Sequence, residues 1–96
     1  MIPSLREICT VISTIFYSNA PDAAVHVDYY EAVDFFQQLY INNHVFTHCL
    51  ETNIIVITDS PENQEFSLKL SFRGLWLLFL YNHMDKVKKE NFCLDF

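Results

Sequence analysis

A chain of 96 residues holds material for one small hydrophobic core and is too short for two ordinary domains. With 51% hydrophobic residues, including nine Phe, five Tyr and one Trp, it lies far from the composition of disordered segments. Its net charge of −6 argues against direct DNA or RNA binding, because affinity for a phosphate backbone comes from Lys and Arg releasing counterions.

The first predicted element starts at Ser4. Ser-Leu-Arg-Glu sets a hydroxyl at the N-cap and Glu7 three residues on, the spacing of a capping box. Leu5, Ile8, Val11, Ile12, Ile15 and Phe16 then recur at helical spacing, and Ser18-Asn19-Ala20-Pro21 supplies the stop. The helix is expected over about residues 4 to 17. Glu7, Thr10, Ser13 and Thr14 interrupt what would otherwise resemble the apolar region of a secretory signal, so no leader is expected. A second capping pattern, Asp28 with Glu31, opens a second helix. Tyr29, Ala32, Val33, Phe35, Phe36, Leu39 and Tyr40 gather on one arc, and Tyr30, Glu31, Asp34 and Gln38 on the other. Asn42 and Asn43 can close it in the left-handed conformation.

From His44 the β-branched content predicts three strands, at about 44 to 50, 53 to 59 and 65 to 72, with short turns that favour antiparallel pairing. Phe66, Leu68, Leu70 and Phe72 alternate with Ser67, Lys69 and Ser71, the pattern of a half-buried strand. Ile54 to Ile57 is apolar on both faces and is expected to lie centrally. Ser60-Pro61-Glu62-Asn63 is a turn begun by Pro at its second position. The last element, Leu75 onwards, is read as a helix, because Leu77, Leu80, Tyr81, Met84 and Val87 extend a helical repeat past strand length. Lys86, Lys88 and Lys89 suit its C-terminal dipole, and Asp85 with Lys89 is an i,i+4 pair. The expectation is therefore a single compact α+β domain over residues 1–96, in the order ααβββα. Its three-stranded antiparallel meander would have the helices packed on one face.

Charge is the strongest functional signal. Residues 1 to 65 carry nine acids against the single base Arg6, a balance of −8, whereas residues 66 to 96 carry three acids against five bases, a balance of +2. Such a field attracts a basic protein and accelerates its capture. Tyr30 beside Glu31 and Asp34 joins an aromatic anchor to carboxylates able to hold Arg, the composition of an interface hot spot. Asp28, Tyr30, Glu31, Asp34 and Gln38, with Asp59, Glu62 and Glu65 near the turn, are the candidate partner-binding residues. The bland alternative is that exposed acids only keep a small domain soluble.

Other chemistry is not expected. His44 and His48 fall in a predicted strand, where residues four apart stand about 13 Å from each other and cannot share a metal ion. Cys49 beside His48 would point to the opposite strand face, so no thiol dyad is expected. One Gly excludes a glycine-rich phosphate loop, and no Ser has a nucleophile-elbow context. No catalytic residue, cofactor or metal is assigned. Three widely spaced cysteines, Cys9, Cys49 and Cys93, fit reduced core thiols and a cytoplasmic location. The longest apolar run, Leu75 to Tyr81, is far short of the roughly 20 residues a membrane span requires. Were one side of that run left exposed, it would be a seam between two copies of the chain.

Asp-Tyr-Tyr at 28 to 30, set in an acidic surface, resembles the tyrosine pair of colicin DNase immunity proteins. Those proteins are all-helical, so the expected strands make this a likeness of surface and not of family. The function expected from the residues is inhibition by binding. An immunity protein or antitoxin would cover the basic active site of a bacterial nuclease toxin. A phage-encoded anti-defence inhibitor and a homodimeric structural or regulatory module are the alternatives.

Overall fold

A computed structural model describes residues 2–16, 22–39 and 43–84. The elements run α1 (Leu5–Phe16), β1 (Val25–Asp28), α2 (Tyr29–Gln38), α3 (Asn43–Glu51), β2 (Ile55–Ser60), β3 (Glu65–Leu70) and α4 (Phe72–Asn82). The strands form one antiparallel sheet in the order β1-β3-β2. The class is thus α+β with a three-stranded antiparallel sheet, as the composition and periodicity predict.

α1, α2 and α4 each begin where a side chain meets orphan backbone donors. At α1, Glu7 N donates to Ser4 Oγ at 3.2 Å and Ser4 N donates to Glu7 Oε1 at 3.1 Å, which closes the capping box read from the sequence. The hydrogen bond from the Ser4 backbone is the main reason the Glu7 carboxyl is held below its ordinary pKa. At α2, Asp28 Oδ1 accepts from Tyr30 N at 3.3 Å. At α4, Ser71 Oγ accepts from Gly74 N at 3.2 Å, so the chain leaves the sheet at Ser71.

α1 buries Leu5, Ile8, Cys9, Val11, Ile12, Ile15 and Phe16, and it packs against α3 and α4. α2 lies against β1 and β3, α3 against β2, and α4 against β3. Val25, Val27, Ile55, Ile57, Phe66, Leu68 and Leu70 turn toward these helices as members of, or partners to, the core. On the opposite sheet face His26, Val56, Thr58 and Lys69 are exposed and Ser67 is half-buried. Helices on one face are what a period-2 pattern with one apolar side requires. Cys9 and Cys49 are free and buried in this core. Burial first, and then the neighbouring Cys9, push the Cys49 thiol up to about 12, so it is a packed apolar group.

The element order departs from the predicted ααβββα at two points. Residues 44 to 50 are helix α3, not a strand. Val45, Phe46 and Cys49 are buried and Leu50 is half-buried. Their spacing of i, i+1, i+4 and i+5 is helical, and packing on α1 outweighs the strand preference of Val45 and Thr47. The third strand is β1, only four residues long, with Val27 buried, Val25 half-buried, and His26 and Asp28 exposed. No meander forms, because β1 pairs with β3. The central strand is consequently β3, and β2 lies at an edge.

The doubly apolar run at Ile54 to Ile57 has another cause than a central position. Ile54 precedes the strand and is fully buried in the turn beneath α4, whereas Val56 is exposed. Phe72, expected on the inward strand face, begins α4 and is 88% exposed. The predicted stop at residues 18 to 21, apart from the start of helix two, lies outside the described residues, as do Tyr40, Asn42 and the features of residues 85 to 89. Pro61 acts as expected, since Asn63 N donates to Ser60 O at 3.1 Å and closes the β-turn.

Gly74 seats α4. A Cβ at this position would stand 2.5 Å from the Ile54 carbonyl oxygen and 2.9 Å from Leu70 Cδ2. Elsewhere in a helix, Gly to Ala gains roughly 1 kcal/mol of propensity. Here the contact is with backbone, so the clash wins. Gly74→Ala is expected to lower stability by about 1–3 kcal/mol, as overpacking does, which urea unfolding followed by circular dichroism reads as a lower midpoint. A raised midpoint would mean that α4 sits less tightly on Ile54.

Candidate functional site

The β2–β3 turn and the start of α2 meet at one end of the sheet. Tyr29, the first residue of α2, donates its backbone N–H to Gln64 O at 2.9 Å, and its phenol donates to Asp59 Oδ1. Its ring lies 4.9 Å from that of Phe66, at 46°. These three contacts fix the helix to the hairpin. Gln64 holds a left-handed backbone with φ 52°, the conformation by which the turn returns into β3.

The candidate acids follow from that joint. Asp28 and Glu65 are register partners across β1 and β3, and Ser60 pairs with Glu65 on the other side. Asp28 and Glu65 therefore share the sheet face away from the helices, while Asp59, paired with Phe66, borders the helix-covered face. Glu62 is exposed at the turn, close enough that its charge contributes to the shift of Tyr29. Asp28, Glu31, Asp59 and Glu62 are exposed and Glu65 is half-buried. His26 Nδ1 lies 3.3 Å from Glu65 Oε1 and 2.9 Å from Ser67 Oγ.

Tyr30 stands on the exposed side of α2 and is 88% exposed. Asp34, one turn further, is exposed. Val33 was expected on the inward arc, yet it is 65% exposed. Tyr30 and Val33, three residues apart, form a small apolar spot beside Asp34. Val33 faces outward because Tyr29 turns toward the hairpin while Ala32, Phe35, Phe36 and Leu39 supply the buried or half-buried contacts, leaving a narrower apolar stripe than the sequence suggests. Gln38 is the one candidate set apart. It lies about 13 Å along the helix from Tyr29 at the rise of 1.5 Å per residue. It borders an open groove of about 620 Å³ with Cys9, Thr10, Ser13, Thr14, Leu78, Tyr81 and Asn82.

His44 and His48 lie on a helix and not on a strand, so the strand spacing that would hold them about 13 Å apart does not apply. On α3 they occupy successive turns, where two side chains of this spacing can approach each other. His44 Nε2 instead lies 3.7 Å from Glu7 Oε2. Among the described residues no group of three His, Cys, Asp or Glu side chains is arranged to hold a metal. Cys49 and His48 are likewise neighbours on a helix and not on opposite strand faces, with Cys49 in the core. Among the described residues no helix is long and apolar enough to cross a membrane.

The Tyr29 phenol is pushed up from 10.0 to about 12, first by its hydrogen bond to Asp59, then by desolvation and by the charges of Asp59 and Glu62. A raised folded-state pKa means that this bond contributes in full below the ordinary tyrosine value and is lost as pH rises through about 12. Absorbance titration of the folded protein should show a late tyrosine phase that disappears in Tyr29→Phe and moves down toward 10 in Asp59→Asn. A late phase untouched by Asp59→Asn would disprove the contact. The arrangement has no counterpart by comparison: no family model, no curated protein and no solved structure matches the chain.

Proposed function

We propose that the protein is an inhibitor that works by binding, in the manner of an immunity protein or antitoxin, with the acidic end of the sheet and the exposed side of α2 as its contact surface. The observation that carries this reading is the joint at Tyr29, which fixes the start of α2, with Tyr30 and Glu31, to the end of the sheet that carries Asp28, Asp59, Glu62 and Glu65. Carboxylates beside one exposed aromatic ring are complementary to a Lys- and Arg-rich site such as that of a nuclease. The ring supplies desolvated contact area, the acids steer the encounter, and nucleic acid is excluded from the covered site. Anchoring by Tyr29 keeps this surface rigid before binding, which reduces the entropy lost on association. The buried free thiols Cys9 and Cys49 suit a reducing compartment, and we place the protein in the cytoplasm.

The test compares partner capture from host lysate on immobilised wild-type protein and on Glu31→Lys/Asp34→Lys, with elution by a salt gradient and identification by mass spectrometry. A basic nuclease released from wild type at high salt and absent from the variant supports the reading. With that partner in hand, the double charge reversal should slow association by roughly 10- to 1,000-fold at low salt. Tyr30→Ala should weaken affinity by about 30-fold, the effect of losing a hot-spot residue worth roughly 2 kcal/mol. Equal capture by both proteins removes this surface from consideration.

A further inference from the structure

α4 carries a second surface of a different chemistry. Phe72, Trp76 and Phe79 are 88%, 55% and 53% exposed, and with exposed His83 they follow one another at intervals of four, three and four residues. That spacing is one stripe along a helix, the seam geometry of paired helices. The side chains are already ordered against one another. Trp76 and Phe79 stack with centroids 5.8 Å apart and planes at 18°. Phe79 and His83 stack at 4.2 Å and 28°. The other side of the same helix is committed to the core through Gly74 and Leu77, so this stripe has no role in holding α4 in place.

We propose that the stripe Phe72, Trp76, Phe79 and His83 is the contact between two copies of this chain, packed with their α4 helices antiparallel. Three observations select a second copy as the occupant. The first is spacing: intervals of four, three and four read the same in both directions. About a two-fold axis, Trp76 of each copy then meets Phe79 of the other, and Phe72 meets His83, which is the self-complementarity an isologous interface needs.

The second is charge. Ser71 to Met84 contains one formal charge, Arg73, so the remainder of a chain of net charge −6 carries −7. Arg73 is drawn back to its own chain, with its guanidinium donating to Thr52 O at 2.6 Å. The stripe is therefore where two acidic molecules meet with least repulsion, and interface cores are likewise poor in charge and rich in aromatic residues. A strongly charged partner would find nothing to pair with there.

The third is area. At these exposures the three aromatic residues offer roughly 400 Å² per copy, taking about 200 Å² for a whole aromatic side chain. The half-buried Leu75 and Leu80 and exposed His83 flank them and bring the patch to roughly 600 Å², the lower end of the range per partner for stable interfaces. The stripe starts just beyond the end of β3 opposite Glu65, some 17 Å from it at about 3.3 Å per residue. A dimer built this way leaves both acidic ends free.

The chain has one Trp, so its fluorescence reports this contact alone. Sedimentation equilibrium on the full chain should give twice the 11.3 kDa chain mass at high concentration. Roughly hundredfold dilution should return the mass to the monomer. Trp76 emission should move to the red over that same range. Phe79→Glu should be monomeric throughout with an unchanged circular dichroism spectrum, and Phe72→Ser, at the more exposed end of the stripe, gives the same answer should Phe79→Glu lose structure. A wild-type chain that stays monomeric at about 100 μM, well above the dissociation constants of stable interfaces, overturns the proposal. So does a dimer indifferent to both substitutions and to Trp76 emission. A monomer whose Trp76 emission shifts to the blue only on addition of phosphatidylcholine and phosphatidylglycerol vesicles would overturn it in favour of a lipid surface.

Discussion

The close approach of Gly74 to the Ile54 carbonyl is the constraint on which the rest of the arrangement depends. Ile54 O accepts Ser71 N at 3.0 Å and Ser71 Oγ at 3.3 Å, and the absent side chain of Gly74 lets the first turn of α4 settle on that same oxygen. Asn53, in left-handed backbone at φ 60°, turns the chain out of α3 so that Ile54 can present its carbonyl there. Ile54 thus sits between three elements: its N–H donates to Cys49 O of α3 at 2.8 Å, its carbonyl accepts from Ser71 at the start of α4, and β2 begins at the next residue. A buried carbonyl needs its partners, and both come from Ser71, the residue between β3 and α4.

From that seat the two surfaces of α4 separate. Gly74 and Leu77 face inward, so the aromatic residues at 72, 76 and 79 have nowhere to go but out. At the far end of β3 a second joint does comparable work with side-chain chemistry. Tyr29 ties the first turn of α2 to the hairpin by a backbone hydrogen bond, a phenol hydrogen bond and ring packing on Phe66. The sheet therefore has a polar, acidic end and an end from which an aromatic helix departs whose one charged residue is Arg73. Surfaces so unlike in chemistry select unlike partners: the first suits cations and the second a surface as poor in charge as itself.

Much of this was legible in the residues, for identifiable reasons. The capping box at Ser4, the cap at Asp28, the alternation of Phe66, Leu68 and Leu70, and the turn at Pro61 are local signals whose physics is complete within a few residues. The acidic candidates at 28, 31, 34, 59, 62 and 65 were likewise legible from the charge map, and all six belong to the hairpin end or the exposed side of α2 near it, whereas Gln38 lies apart. Val33 and the exposed half of α4 were not legible, because which side of an apolar helix meets solvent is decided by what packs on the other side.

By itself the sequence determined the class of the domain, the starts of α1 and α2, the course of β2 and β3 and the polarity of charge along the chain, since each depends on near neighbours or on composition. Only the tertiary structure decided that residues 44 to 50 coil onto α1, that Val25 to Asp28 extends beside β3, and that Ile54 is buried under Gly74 and not within a central strand. Those outcomes depend on contacts between residues far apart in the chain. A four-residue strand has too little pattern of its own to outweigh them, and the β preference of Val45 and Thr47 yields to the burial of Val45, Phe46 and Cys49 against α1.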